Sequence, residues 1–556
     1  MTVVLALNLL AMLPPTAAAQ PASTVRISVN TVQGLREAIA QSNLNPAQGF
    51  EISVATNLTL TEFNDSGAAL PPIRGILGLT GPGSLAGGGP GSGFRLLTIE
   101  AGGALALNSI MLTNFHANGD GGVIRAEPGS EFSIFFSSFT HSGASGAGGA
   151  IYATGALSAE IDSARFEHCT AMRGGAVALL SAQTQSSQVL TIGSSDFLHN
   201  SAGSGGALYL EGSVNVEENR FVSNMATTLG GAIDLRGSGG AAIIANRFDG
   251  NRASVFGCAA NIDLAAQSQP ARLIGNSVMG ADCDNVLFEN PSGGIYYLHN
   301  TAVVSRDNRV IDSTARVVQR GNISSAEPQP RRPKLLCADF GSGAFQSQGG
   351  NIATDASCVL DHPTDLITEA PGLQPTAEGL LALTTTSPAI DRGAAGLVSI
   401  GDDPDSAQIL PCSYRDGRGL GRPQDGNGDG IFECDSGAWE WQGGPDIGAA
   451  QSGIYYDPLR SGEGHFLELI GDGRAVLSTF SYGPEGGMAW FIGVGQVVGN
   501  SVVVDALLST RGGVFGAAFD ETAIERFDVG GASLVFPTCQ ATDRPGHFAF
   551  GHAANN

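Results

Sequence analysis

Between Phe139 and Ala259 the chain writes one line five times, and few folds accept such a line. Each copy has an aliphatic residue, four residues, Phe, two residues, a small polar residue, one residue, Ala and, shortly after, Gly-Gly-Ala. The aliphatic positions are Ile134, Ile161, Ile192, Val216 and Ile243, and the aromatic ones are Phe139, Phe166, Phe197, Phe221 and Phe248. Ser142, Cys169, Asn200, Asn224 and Asn251 hold the polar slot, and Ala144, Ala171, Ala202, Ala226 and Ala253 follow. In the fifth copy Gly-Gly-Ala has become Gly257-Cys258-Ala259. One such unit cannot cover its own apolar face, whereas units stacked in register share a continuous core. Stacking sets Phe over Phe and Asn over Asn, where an amide ladder satisfies its own donors and acceptors. The repeat therefore predicts an all-β chain built on a right-handed parallel β-helix, with rungs about 4.8 Å apart.

The rest of the chain is read around this solenoid. A short amphipathic segment from Leu35 to about Asn43 predicts a helix that caps the first rung against edge-to-edge pairing. From about Gly444 the pattern turns to alternating segments joined by tight turns, such as Gly471-Asp472-Gly473, which predicts an antiparallel β-sandwich or barrel. Thr2–Leu13 is an apolar run ending in Pro14-Pro15 and Ala17-Ala18-Ala19, too short to cross a bilayer. It reads as a signal peptide without a positive n-region, the alternative being a buried N-terminal helix. The expected division is 1–19 signal, 20–50 cap, 51–443 β-helix with its closing region, and 444–556 accessory β domain. No later stretch reaches transmembrane length, and the mature chain is expected to be a soluble monomer.

With 28 basic and 52 acidic side chains the net charge is −24, and no run of Lys or Arg interrupts it. Nucleic acid and anionic membrane surfaces are thereby poor partners. Eight cysteines in an exported chain can pair, and Cys258–Cys283, Cys337–Cys358 and Cys412–Cys434 each close a short loop. Cys169, in the polar slot, reads as a buried thiol, and Cys539 is left over.

Three patterns bear on chemistry. Asp425-Gly426-Asn427-Gly428-Asp429-Gly430 places oxygen ligands at alternate positions before a Gly, as a calcium loop requires. Glu433 stands at the ninth position, and Asp435 is one residue short of the twelfth, which is Ser436. The competing reading is an Asx-rich turn stapled by Cys412–Cys434; either role is structural. Second, if Ile151, Val177, Leu208 and Ile233 point inward, then Tyr152, Ala178, Tyr209 and Asp234 form one outward column and Thr154, Leu180, Glu211 and Arg236 another. Such a strip suits polysaccharide, with Tyr152, Tyr209, Asp234 and Arg236 as ligand-binding residues; an ordinary solvated face is the bland alternative. For a lyase or glycosidase, Asp234, Glu211 and Arg236 are the residues to supply acid, base or charge neutralisation. Third, His141, His168 and His199 recur after the repeat Phe as either a metal column or, more simply, solvated side chains. Asp402-Asp403 lacks the companion motifs of a paired-acid site and reads as a loop.

Leu35-Arg36-Glu37-Ala38-Ile39, the Phe-x-x-Asn-x-Ala…Gly-Gly-Ala repeat, and the tail Ser387–Gly393, Asp416-Gly417-Arg418…Arg422-Pro423 and Asp425–Glu440 together resemble secreted bacterial β-helix proteins of the choice-of-anchor Q type. The repeats are similar to those of polymorphic outer-membrane proteins. Gln33-Gly34 departs from the family's opening motif, and no apolar tail, sortase motif or porin-like barrel supplies the family's anchor. Ser452–Gly464 resembles an accessory β domain of secreted gammaproteobacterial proteins. The resemblance implies a protein that is secreted or on the surface of a Gram-negative bacterium, with the periplasm as a further compartment. The leading expectation is a non-catalytic scaffold for adhesion or for binding glycan on a cell surface. The alternative is a polysaccharide lyase or glycoside hydrolase of pectin-lyase-like fold, and in a third reading the C-terminal meander binds while the solenoid is a spacer.

Overall fold

Phe139, Phe166, Phe197, Phe221 and Phe248 stand one above another, with successive ring centroids 4.8–5.0 Å apart and planes within 10°. That spacing is the strand spacing of a parallel sheet, so the rings stack because the backbone beneath them is in register. The computed structural model describes residues 24–180, 190–237, 240–264, 270–281, 285–289, 294–304, 309–313, 316–326, 336–339, 345–376, 380–393, 398–399, 408–409, 416, 418, 420–424, 426–427, 433–441, 451–456, 462–471, 473–482, 488–498, 501–504, 506–512, 519–535 and 548–551. The expected signal, 1–19, lies outside them.

The chain forms a parallel β-helix followed by an antiparallel sheet. Among the described residues the solenoid has four parallel sheets, of 13, 10, 13 and 6 strands. The aliphatic slot lies in one 13-stranded sheet and the Phe slot in the other; the Ala slot makes the short sheet, and the residues after Gly-Gly-Ala make the 10-stranded one. The pile begins earlier than the predicted cap implies. Thr24–Val29 pairs in parallel with Gly49–Val54, and the helix Val32–Leu44 crosses between them. Thr31 caps that helix, its side chain accepting from the Gly34 N–H, while Leu35 and Ile39 are fully buried against the first rungs.

Two corners of each rung need a left-handed residue. One is filled by His141, His168, His199 and Ser223, all with φ between 51° and 55°. The other holds Ser109, Phe136, Ser163, Ser194, Glu218 and Ala245, with φ between 46° and 57°. Each such residue costs about 1–2 kcal/mol. Amide ladders beside the corners offset that cost. In the predicted ladder Asn200 receives nothing by chance: its N–H and Nδ2 both reach Asn224 Oδ1 at 3.0 Å, and Asn224 reaches Asn251 likewise at 3.0 and 2.9 Å. A second ladder runs beside the other corner through Asn219, Asn246, Asn276, Asn300, Asn322 and Asn351. It sits two residues before the Phe slot, in Asn219-Arg220-Phe221 and Asn246-Arg247-Phe248.

Cys337–Cys358 is bonded as expected. Cys258 and Cys434 are also in disulfides, while Cys283 and Cys412, their expected partners, lie outside the described residues, as does Cys539. Cys169 is a free, buried thiol in the polar ladder, its pKa pushed up to about 12 by burial.

Beyond the solenoid, Gly464–Gly471, Arg474–Tyr482 and Met488–Val498 form an antiparallel meander, continued through Ser501–Val504 and Gly531–Val535. Leu467, Leu477, Val502, Val504 and Leu534 pack its inner face into a separate core. No helix among the described residues is long and apolar enough to cross a membrane.

Candidate functional site

The register of the 10-stranded sheet places Tyr152, Ala178, Tyr209, Asp234 and Asn261 in one column and Thr154, Leu180, Glu211, Arg236 and Asp263 in the next. The inward partners Ile151, Val177, Leu208 and Ile233 are fully buried in the core, as alternation requires. Both columns therefore form as the sequence dictates. The first, however, is not a solvent-facing strip, which corrects the expectation for Tyr209 and Asp234. Only Tyr152 is half-exposed; Ala178 and Asp234 are fully buried and Tyr209 nearly so.

The physical reason lies in what each side chain meets. Arg236 lays its guanidinium back along its own strand and grips Asp234, with Nε 3.2 Å from each carboxylate oxygen and Nη2 3.0 Å from Oδ2. Asn261, one rung on, donates to Asp234 Oδ1 at 2.8 Å. The Tyr209 hydroxyl donates to Glu211 Oε1 at 2.8 Å, and Arg173 and Arg236 stand 5.4 and 5.8 Å from the centre of its ring. Burial, reinforced by the bond to Glu211, pushes the Tyr209 pKa up to about 12, so the phenol stays protonated and cannot serve as a base near neutral pH. Tyr152 lies two rungs from Tyr209, with Ala178 between, beside the Arg125–Glu127 ion pair of 2.9 Å. The structure thus gathers Tyr209, Glu211, Asp234 and Arg236 and leaves Tyr152 apart. What it gathers is internally satisfied: Asp234 already accepts from three donors, which leaves it a poor free ligand.

His141, His168 and His199 stack in a column, with centroids 5.0 and 5.2 Å apart. Stacked face to face, the three rings do not converge on one point. Of the proposed calcium ligands, Asp425 and Asp429 lie outside the described residues. The Asn427 backbone N–H donates to Asp391 Oδ2 at 2.7 Å, while Glu433 is bridged to Gln424. Asp435 is fully buried, its Oδ1 accepts from the Asp391 N–H at 2.8 Å, and its Oδ2 accepts from the Trp441 N–H. Among the described residues no three His, Cys, Asp or Glu side chains are placed to hold a metal ion.

Asp435 is part of a closing cluster that sequence reasoning did not assemble. Arg422, itself almost fully buried, binds Glu440 Oε2 at 2.8 Å and donates to the Asp435 carbonyl at 2.7 Å. His299 Nδ1 is 3.0 Å from that carbonyl oxygen. Burial raises the pKa of both carboxyls, and the neighbouring Glu440 charge raises that of Asp435 further. Burial, with Arg422 beside it, holds His299 well below its ordinary value. The Gly437 N–H donates to the Gly321 carbonyl and Ala438 N–H to Thr301 Oγ1, so the tail binds the flank of the last rungs. Two buried acids and a histidine look catalytic by composition, but backbone amides and Arg422 occupy the two carboxylates, and the Asp435 carbonyl and Arg422 occupy His299 Nδ1.

No protein-family model and no curated protein sequence matches this chain. Among solved structures it is similar to the PL6 family alginate lyase AlyGC, at 12% identity and a TM-score of 0.36 over 64% of this chain and 55% of that one. A mutant of the same enzyme aligns at 14% identity and a TM-score of 0.34, with the same coverage. The chain therefore spans about half the length of the enzyme it aligns with.

Proposed function

We propose that this chain is a secreted, non-catalytic β-helix scaffold that touches glycans or other surfaces along its flank. The observation that carries the reading is Asp234, an acid at the centre of the convergent cluster whose oxygens are already bonded to Arg236 and Asn261. A rigid strip of that kind presents the half-exposed Tyr152, the exposed Arg173 and the paired Arg125–Glu127 to a long, repetitive ligand without needing to move. The overall charge of −24 disfavours strongly acidic glycans away from those arginines and favours neutral ones. The test is incubation with neutral and acidic polysaccharides, with and without calcium, followed for unsaturated or reducing ends and for co-sedimentation. Binding without cleavage is expected, and cleavage that disappears in Asp234→Ala would overturn the scaffold.

A second reading, a polysaccharide lyase or glycoside hydrolase, has one observation in its favour. Arg173 and Arg236 flank Tyr209 within 6 Å, an arrangement that can neutralise a sugar carboxylate beside a proton donor. In that case Tyr209→Phe abolishes chain cleavage and leaves binding intact.

A further inference from the structure

The outer face of the C-terminal sheet is apolar where a solvated face should be polar. An antiparallel sheet with one face on a core normally alternates hydrophobic-in with polar-out. Here the inner face is filled by Leu467, Leu477 and their neighbours, yet the alternate residues are apolar too. Phe466, Phe480, Trp490, Ile492, Val494 and Leu508 are each 39–58% exposed. Register makes them one patch. Phe480 is directly opposite Trp490, Ile492 is opposite Leu508, and Phe466 meets Phe480 edge to face at 5.7 Å. The meander thus carries two hydrophobic faces and covers one.

The geometry points to a second copy of this chain as the occupant, joined face to face across a two-fold axis through the Phe480–Trp490 row. Gly453–Tyr455, whose exposed Ile454 is opposite Phe466, extends the patch to five strands, and five strands about 4.8 Å apart with about seven residues at 3.4 Å give a face of roughly 500 Å². That is at the upper end of what a monomer leaves bare, and two such faces bury about 1,000 Å², the threshold of a specific interface. Such a face is self-complementary, because two sheets of the same twist pack about 10 Å apart with side chains interleaved. Within the Phe466–Phe480–Trp490–Ile492 row the polar group is Ser478, and the charged and amide side chains Glu468, Arg474 and Gln496 stand toward one end of the face, so a glycan would find its hydrogen-bonding partners at that end and not over the aromatic row. An anionic membrane is opposed by the charge of −24. Repulsion between two copies is screened beyond about 8 Å at physiological salt, so the dimer should tighten as salt rises.

The test is the mass of the full chain in solution by sedimentation velocity and light scattering. A species of twice the 56.7 kDa chain mass is expected at micromolar concentration, strengthening with salt. Trp490→Glu and, independently, Ile492→Glu should weaken the dimer by about 30-fold or more in Kd, the size of a hot-spot loss. Both sites are exposed, so a circular dichroism spectrum unchanged from that of the wild type would show that each variant still folds. A wild-type chain that stays monomeric overturns the proposal, as does a dimer indifferent to both variants. So does a monomer captured through Trp490 by neutral phosphatidylcholine vesicles or by insoluble polysaccharide.

Discussion

Arg236 holds Asp234 through Nε at 3.2 Å and Nη2 at 3.0 Å, with the carboxylate fully buried and the guanidinium about a third exposed. Asp234→Ala would strand the Arg236 charge and remove the acceptor for Asn261. Breaking a fully buried pair costs about 3–5 kcal/mol, but solvent at Arg236 screens part of that, so a loss of about 2 kcal/mol is expected. Urea denaturation measures it. A change within about 0.5 kcal/mol, the range of an ordinary surface substitution, would release Asp234 from its structural role and return it to the chemistry of the site.

The second Asn ladder makes a sharper prediction. Asn246 Nδ2 donates to the Val216 carbonyl at 2.8 Å, and its Oδ1 accepts from the Asn219 N–H at 3.0 Å. In Asn246→Ala those groups stay buried without partners, at about 1–3 kcal/mol for each one left unsatisfied. The change should appear in hydrogen exchange as faster opening of the rungs around Asn219 and Asn276, with the helix Val32–Leu44 unaffected. Asn246→Ser should recover part of the loss, because Ser195 already serves one rung of this ladder, its Oγ accepting from the Ala164 N–H at 3.0 Å.

These cases mark what a reader of the sequence can and cannot see. The Phe column was legible because stacking repeats one residue at one slot, and Cys337–Cys358 because the two lie close along the chain. The second ladder carried an equally regular signal, Asn two residues before the Phe slot, but it was hidden because Ser and Ala fill the slot in earlier rungs, as at Ser137 and Ala164. Alternation told which side of the strand Tyr209 and Asp234 occupy. It does not tell what covers a side chain, and the cover here comes from Arg173 and Arg236. The closing cluster was illegible for another reason: His299 and Asp435 are 136 residues apart, and only the path of the tail brings them together.

Phe197 tests whether the aromatic column is a sum of independent contacts. It is fully buried and stacked on both sides, at 5.0 Å from Phe166 and from Phe221. Phe197→Ala should cost about 3–5 kcal/mol through lost burial and the cavity left behind. Phe197→Leu, which keeps most of the volume, should cost less than half of that. If the stack adds energy beyond burial, Phe197→Leu combined with Phe221→Leu will cost less than the sum of the two alone, since the shared ring contact can be lost only once. Strict additivity in urea denaturation would reduce the column to simple packing.

The closing cluster ties stability to pH through groups of opposite sense. His299 is held below its ordinary pKa of 6.5 by burial and by Arg422, with Arg320 adding to the effect and the Asp435 carbonyl opposing it. The unfolded chain therefore takes up a proton that the folded chain refuses, and stability falls as pH drops below about 6.5, by up to about 1.4 kcal/mol per pH unit. Asp435 and Glu440 act the other way. Their raised pKa values give stability that is present in acid and lost as pH rises through the folded values. In the wild type the two slopes oppose each other between the unfolded carboxyl range and 6.5. His299→Asn, an exchange that the left-handed backbone at this corner tolerates, removes only the first. The variant should be less stable than wild type at pH 8, and the difference should shrink steadily below pH 6.5. Glu440→Gln should leave the low-pH loss steeper than in the wild type. A difference between His299→Asn and wild type that stays constant from pH 8 to pH 5 would mean that His299 is protonated in the folded cap, with the Asp435 carbonyl outweighing burial.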